Sequence, residues 1–151
     1  MKFEEEFQKY KDDVIRIAYS YLLNLQDSED VTQKVFIKLY KNINKFNDTD
    51  KVKHWLIVTT INNCKSLLRS PWRKNILFSK DLESNRSNYD DYQNVKNIFS
   101  IISKKERIPL YLNIVYGYTS KEIASLLNVS ESSIKMRIKR ARERLNMKGN
   151  E

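Results

Sequence analysis

The sequence predicts an all-α protein of two small helical domains joined by a flexible linker, the C-terminal one carrying a helix-turn-helix. Three observations predict it. Only two Gly and two Pro occur in 151 residues, too few for a turn-rich β architecture. Apolar residues recur at spacings of 3 and 4 through most of the chain. Residues Thr119 to Leu145 read TSKEIASLLNVSESSIKMRIKRARERL, the layout of two short helices about a tight turn.

Phe7, Tyr10, Val14, Ile17, Tyr21 and Leu25 define a first helix over roughly Glu4–Leu25. Asp27 or Ser28 can cap a second, running to Ile43 with Val31, Val35, Phe36, Leu39 and Ile43 inward. After the polar stretch NKFNDTDKV a third helix runs from about Val52 to Ser70 and stops before Pro71. These three form a bundle over residues 1–71. Residues 72–94 are polar, balanced in charge and poor in aliphatic side chains, and read as an interdomain linker. A second bundle occupies 95–151, with helices at about 95–103 and 105–116, the latter ended by Gly117.

The helix-turn-helix is the most informative segment. Thr119 and Glu122 make a capping box, and Ile123, Ala124 and Leu127 form the inward stripe. Asn128 tolerates the left-handed conformation the turn needs, and Ser130 caps the second helix. At about 100° per residue, Ile134, Ile138, Ala141 and Leu145 fall on one line that docks this helix. Ser132, Lys135, Met136, Lys139 and Arg140 fall on or near the opposite side, where a helix in the major groove presents side chains to base edges. The simpler alternative is a solvated basic helix end, with Lys and Arg complementing the macrodipole.

Charge concentrates in the same place. The chain carries +9 in all, of which +7 lies in residues 95–151. That is an electrostatic footprint for phosphates. No apolar run approaches a membrane span, and MKFEEEFQKY is no signal peptide, so no membrane insertion is expected. The single Cys excludes an internal disulfide framework and fits a reducing cytoplasm. With one His, one Cys, no Gly-rich phosphate loop and no HExxH, no catalytic residue, metal or cofactor is expected, and the chain reads as a binding protein rather than an enzyme.

Three motifs in order resemble the sigma-70 family of RNA polymerase initiation factors, in its minimal extracytoplasmic-function form. SEDVTQKVFIKLYKNI (Ser28–Ile43) resembles the AED-x-x-Q-x-x-F segment of region 2. Trp55-Leu56, Asn62 and Leu67-Leu68-Arg69 resemble its WL…N…LLR signature. SKEIASLLNVSESSIKMRIKRARERL resembles region 4. Departures are Ser133 for the usual Thr, Asn128 for Gly, Ser66 for an acidic residue, and Ser103–Arg107 for the familiar Leu-Pro start of region 4.

The resemblance implies partners and sites. Region 2 would dock on the β′ clamp helices of RNA polymerase core through Asp30, Val31, Gln33, Lys34, Phe36 and Leu39. The bundle core competes for the apolar members of that set. Phe46, Asn47, Lys51, Lys53, His54, Trp55, Asn62 and Arg69 would capture the melted −10 strand; Arg69, Arg73 and Lys74 form a basic edge that fits phosphate binding as well as plain solvation. Trp55 fits a core anchor as well as a stacking platform, and Asn62 fits a backbone cap as well as a strand contact. Region 4 would read the −35 duplex through Ser132, Ser133, Lys135, Met136, Arg137, Lys139 and Arg140, with Arg137, Arg142 and Arg144 holding phosphates or folding onto the bundle. The β flap of the polymerase, promoter DNA and an anti-sigma factor complete the implied partners. A stand-alone dimeric DNA-binding regulator is the rival from another class; an anti-sigma-like interaction protein is a third reading.

Overall fold

The structure is a computed structural model that describes residues 1–69 and 89–149, apart from the side chains of Arg69, Tyr89, Lys148 and Gly149. Among these residues every α-helix expected from periodicity is present and there is no strand. The chain divides into two compact units, Met1–Asn85 and Arg86–Glu151.

In the first unit, α1 (Phe3–Leu22), α2 (Leu25–Asn42) and α3 (Thr49–Arg69) each pack on the other two. Tyr10, Val14, Ala18 and Leu22 of α1 meet Val31, Val35, Phe36 and Leu39 of α2, with Val52, Leu56 and Cys64 of α3. The helix starts differ from expectation for local reasons. Leu23 adopts a left-handed φ of 52°, its N–H bonding Tyr19 O, so α1 ends before Leu25. Asn24 is thereby extended and becomes the cap of α2, accepting the Asp27 N–H at 2.9 Å; neither Asp27 nor Ser28 is the cap. A short 3-10 turn, Ile43–Lys45, continues α2. At the start of α3, Asp48 accepts the Asp50 N–H at 2.8 Å, which sets the helix beginning at Thr49 rather than Val52. The Thr49 hydroxyl donates to the buried Glu6 carboxylate at 3.1 Å and lies 3.0 Å from Tyr10 Oη, tying the α3 start to α1.

In the second unit, α4 is Tyr89–Phe99, α5 Lys104–Tyr116, α6 Ser120–Leu127 and α7 Glu131–Gly149. α4 begins inside the stretch read as linker and ends before residue 103. Asp90 and Asp91 occupy its first turn, where carboxylates favour the helix dipole. Residues 70–88, which include Arg73, Lys74 and most of the expected linker, lie outside the described residues. α5, α6 and α7 pack mutually around Ile108, Leu110, Leu112, Ile123, Ile134 and Ala141, all buried. α4 joins through Phe99, whose ring meets Tyr111 edge-on at 6.2 Å. Gly117 takes a φ of 69° and closes α5, its N–H bonding Leu112 O.

Candidate nucleic-acid and polymerase interfaces

The helix-turn-helix forms as its sequence predicts. The Thr119 hydroxyl accepts the Glu122 N–H at 3.1 Å, and Glu122 returns a carboxylate oxygen to the Thr119 N–H at 3.0 Å. That backbone N–H, and then the hydroxyl, hold the Glu122 carboxyl below its ordinary pKa. Asn128 sits at φ 55°, ψ 47°, and Val129 N–H bonds Ala124 O at 3.1 Å. Ser130 Oγ accepts the Ser133 N–H at 3.2 Å, so α7 starts where the spacing placed it.

α7 then presents two different faces. Ile134, Ile138 and Ala141 are buried and Leu145 is half-buried. Ser132, Lys135, Met136, Lys139 and Arg140 are exposed, Met136 to 45%. Ser133 and Arg137 are half-buried at the edge. Lys135 pairs with Glu131 at 3.3 Å one turn earlier; both side chains are open to solvent, so the pair is weak and easily traded for a phosphate. Arg142 and Arg144 fold onto the bundle. Arg142 Nη2 donates to Asn113 Oδ1 at 2.8 Å, and Asn113 Nδ2 donates to Tyr118 O. Arg144 Nη1 donates to Glu106 at 2.9 Å.

In the first unit the loop before α3 brings Phe46 and Trp55 together, rings edge-on at 5.9 Å. Both are half-buried and pack against the bundle core, so each is part anchor and part surface. Asn47, Lys51, His54 and Asn62 are exposed; Lys53 is half-buried. The Arg69 side chain lies outside the described residues.

The α2 set divides. Asp30, Gln33 and Lys34 are exposed, whereas Val31, Phe36 and Leu39 are within 4% of complete burial. Those three fill the bundle, and Phe36 stacks edge-on with Phe7 at 4.9 Å. Their removal from the candidate docking face is a correction: the 3.6-residue period turns them toward α1 and α3. α2 also exposes two apolar side chains that the sequence reading did not single out. Ile37 is 55% exposed and Tyr40 64%, on one line with Asp30 and Gln33 at spacings of 3, 4 and 3. That line was readable; it was obscured because it runs beside the core stripe. Cys64 is fully buried, and burial pushes its thiol pKa up to about 12. Among the described residues no cluster of His, Cys, Asp or Glu could hold a metal. Among the described residues no helix is long and apolar enough to cross a membrane.

Residues 7–74 match Sigma-70 region 2 and residues 93–145 match Sigma-70, region 4. The chain is 27% identical to the ECF RNA polymerase sigma factor SigM of Bacillus subtilis (strain 168), over 96% of this chain and 93% of that one. It is 38% identical to SigW of the same organism over 47 residues, which are 31% of this chain and 25% of SigW. Its fold resembles the sigma factor RpoE, solved in complex with the anti-sigma factor NepR from Bartonella quintana. That match has a TM-score of 0.76 and 22% identity, covering 96% of this chain and 94% of that one. It also resembles CnrH, solved with the cytosolic domain of CnrY, with a TM-score of 0.70 and 21% identity, covering 98% and 87%. The chain belongs to the sigma-70 family, as a sigma factor of the extracytoplasmic-function type, and family members direct RNA polymerase to promoters to initiate transcription.

Proposed function

We propose that this sigma factor reads the −35 element as duplex DNA with the C-terminal unit and captures the melted −10 strand with the N-terminal one. The two-faced α7 carries the reading. Its buried line, Ile134, Ile138 and Ala141, fixes the helix, while Lys135, Met136, Lys139 and Arg140 are exposed on the other side. Lys and Arg can bind guanine edges or phosphates, Met136 can meet a thymine methyl, and Ser132, Ser133 and Arg137 flank them. The N-terminal site combines the Phe46–Trp55 pair with Asn47, Asn62 and the cations Lys51 and Lys53. An aromatic platform with amide and cationic neighbours is the chemistry of single-strand capture.

The exposed side of α2, with Asp30, Gln33, Lys34, Ile37 and Tyr40, supplies the docking face for the β′ clamp helices of the core enzyme. The C-terminal unit meets the β flap. Residues 1–71 and 95–151 act as separate modules across the 72–94 segment, with α4 reaching back into that segment. Two weak contacts made in one chain become strong by linkage. RpoE and CnrH, with which the fold is shared, were each solved with a protein partner, which supports an anti-sigma factor as a regulator here. No step calls for a cofactor, and the phosphoryl chemistry stays with the polymerase, in the cytoplasm.

The test is purified protein with bacterial core polymerase, followed by run-off transcription from a library of genomic fragments. The expected result is stoichiometric core binding and new, specific start sites. Sequence-specific duplex binding without core binding would favour the stand-alone regulator instead.

A further inference from the structure

Glu6, Lys9 and Tyr10 of α1 converge on Thr49, the first residue of α3. The Thr49 hydroxyl donates to Glu6 Oε2 at 3.1 Å, and it meets Lys9 Nζ at 3.2 Å and Tyr10 Oη at 3.0 Å. A hydroxyl has one proton to give and two lone pairs to fill, so its whole capacity is used. Because that proton goes to Glu6, the Tyr10 hydroxyl is the donor in the third contact. Tyr10 Oη also lies 3.3 Å from the Thr49 carbonyl oxygen. Lys9 is held in turn, its ammonium 5.3 Å from the centre of the Tyr10 ring. Glu6 and Tyr10 are each only 7% exposed.

Phe46, Asn47 and Asp48 alone separate Thr49 from the 3-10 turn. At the far end of that short loop the Phe46 N–H returns to Ile43 O at 3.2 Å. At the near end Asp48 turns the chain into α3 by accepting the Asp50 N–H. Phe46 and Asn47 are therefore held from both sides. Yet the polar cluster is not what keeps α3 in the bundle. Val52, Leu56 and Cys64 do that by apolar contact with α1 and α2. A buried carboxylate costs solvation, so the cluster adds less stability than apolar side chains of the same size would. What it adds is direction: hydrogen bonds weaken steeply off their axis, whereas apolar surfaces can slide.

We infer that Glu6 and Tyr10 are positioning residues for −10 strand capture: through Thr49 they fix where α3 begins, and with it how Phe46 and Asn47 are presented to the strand. This rests on the reading of Phe46 and Asn47 as part of the single-strand site. Neither Glu6 nor Tyr10 meets DNA in this role; both act through the Thr49 hydroxyl.

The experiment assembles the full chain with bacterial core polymerase and offers a random-sequence pool of short single-stranded DNA. Strand retained above the level of core alone is measured well below the unfolding midpoint of each variant. Core binding, selection from a random duplex pool and the circular dichroism spectrum are followed beside it. Thr49→Val removes the hydroxyl at nearly constant shape. Tyr10→Phe removes the other hydroxyl while the ring stays in the core, and it carries the test alone if Thr49→Val does not fold. A freed loop that holds the competent geometry about a tenth of the time binds about tenfold more weakly. Both variants are therefore expected to show about tenfold weaker strand binding, with core binding and duplex selection unchanged. Thr49→Ser, which keeps the hydroxyl, should restore it. A loss that lowers core binding and duplex selection in parallel is a general structural effect and overturns the inference. Asn47→Ala with His54→Ala, at two exposed positions of the strand site, tests the reading beneath it. Loss in that double variant with full retention by Thr49→Val and Tyr10→Phe keeps the strand site and removes the positioning role. Full retention by all of them removes the loop from the strand site, and the inference falls with it.

Discussion

Arg144 Nη1 donates to Glu106 Oε1 across 2.9 Å, and the same oxygen accepts the Ser103 N–H at 3.2 Å. One nearly buried carboxylate therefore caps α5 and holds the far end of α7. Removing a partner from a fully buried pair costs about 3–5 kcal/mol. Arg144 is half exposed and Glu106 keeps its backbone bond, so Arg144→Ala is expected to cost about 1–2 kcal/mol. Urea unfolding with a Glu106→Gln cycle checks this; an unchanged midpoint would mean the contact contributes nothing.

Lys139 and Arg140 should behave in the opposite way. Both are exposed and neither holds the fold. Replacing both by Ala should leave the unfolding midpoint within about 0.5 kcal/mol. The salt slope for duplex −35 binding should fall by about 1.8, at 0.9 per phosphate, if both hold phosphates. Base-edge contacts would instead relax sequence preference at one or two positions. Retained −35 dependence in run-off transcription, with slope and preference also unaltered, would remove both residues from the interface.

The contrast between these arginines and lysines marks what was legible in the sequence. The Ile134–Ile138–Ala141 line and the Thr119–Glu122 box were readable because each depends on spacing within one helix. So were α1 to α3 as elements. Which of Arg137, Arg142 and Arg144 turns back on the bundle was not readable, because their partners Asn113 and Glu106 lie 29 and 38 residues away. The Ser103-x-x-Glu106 pattern did carry a signal, since it repeats the capping-box spacing of Thr119 and Glu122. The start of α2 was misplaced because Leu23, not a glycine, takes the left-handed position. Nothing in the local sequence marks that.

Ile37 and Tyr40 separate docking from folding on α2. Ile37→Ala with Tyr40→Ala should weaken core-polymerase binding at least tenfold, with stability within about 1 kcal/mol, since both are exposed. Leu39→Ala should do the reverse: it empties a fully buried site at a cost of about 2–5 kcal/mol. The paired readout is core pull-down against thermal unfolding. Undiminished core binding by the double variant would move the docking face off α2.

Cys64 gives a pH signature for the first unit. Its thiol is fully buried among Leu56 and its neighbours, and loss of solvation raises its pKa from the ordinary 9.0 to about 12. The folded thiol therefore keeps a proton that the unfolded chain releases above about 9. The unfolded state binds fewer protons in that window, so the contribution of this group to stability is complete below pH 9. It is lost progressively as pH rises toward 12. Cys64→Ala removes the titration but leaves a small cavity, so it should be less stable at neutral pH and flatter in its alkaline dependence. Iodoacetamide supplies a second readout, because only the thiolate reacts. At pH 8 the native chain should label far more slowly than the chain in urea. Equal labelling rates in the two states would show that the thiol is open to solvent and that the bundle core does not close over α3.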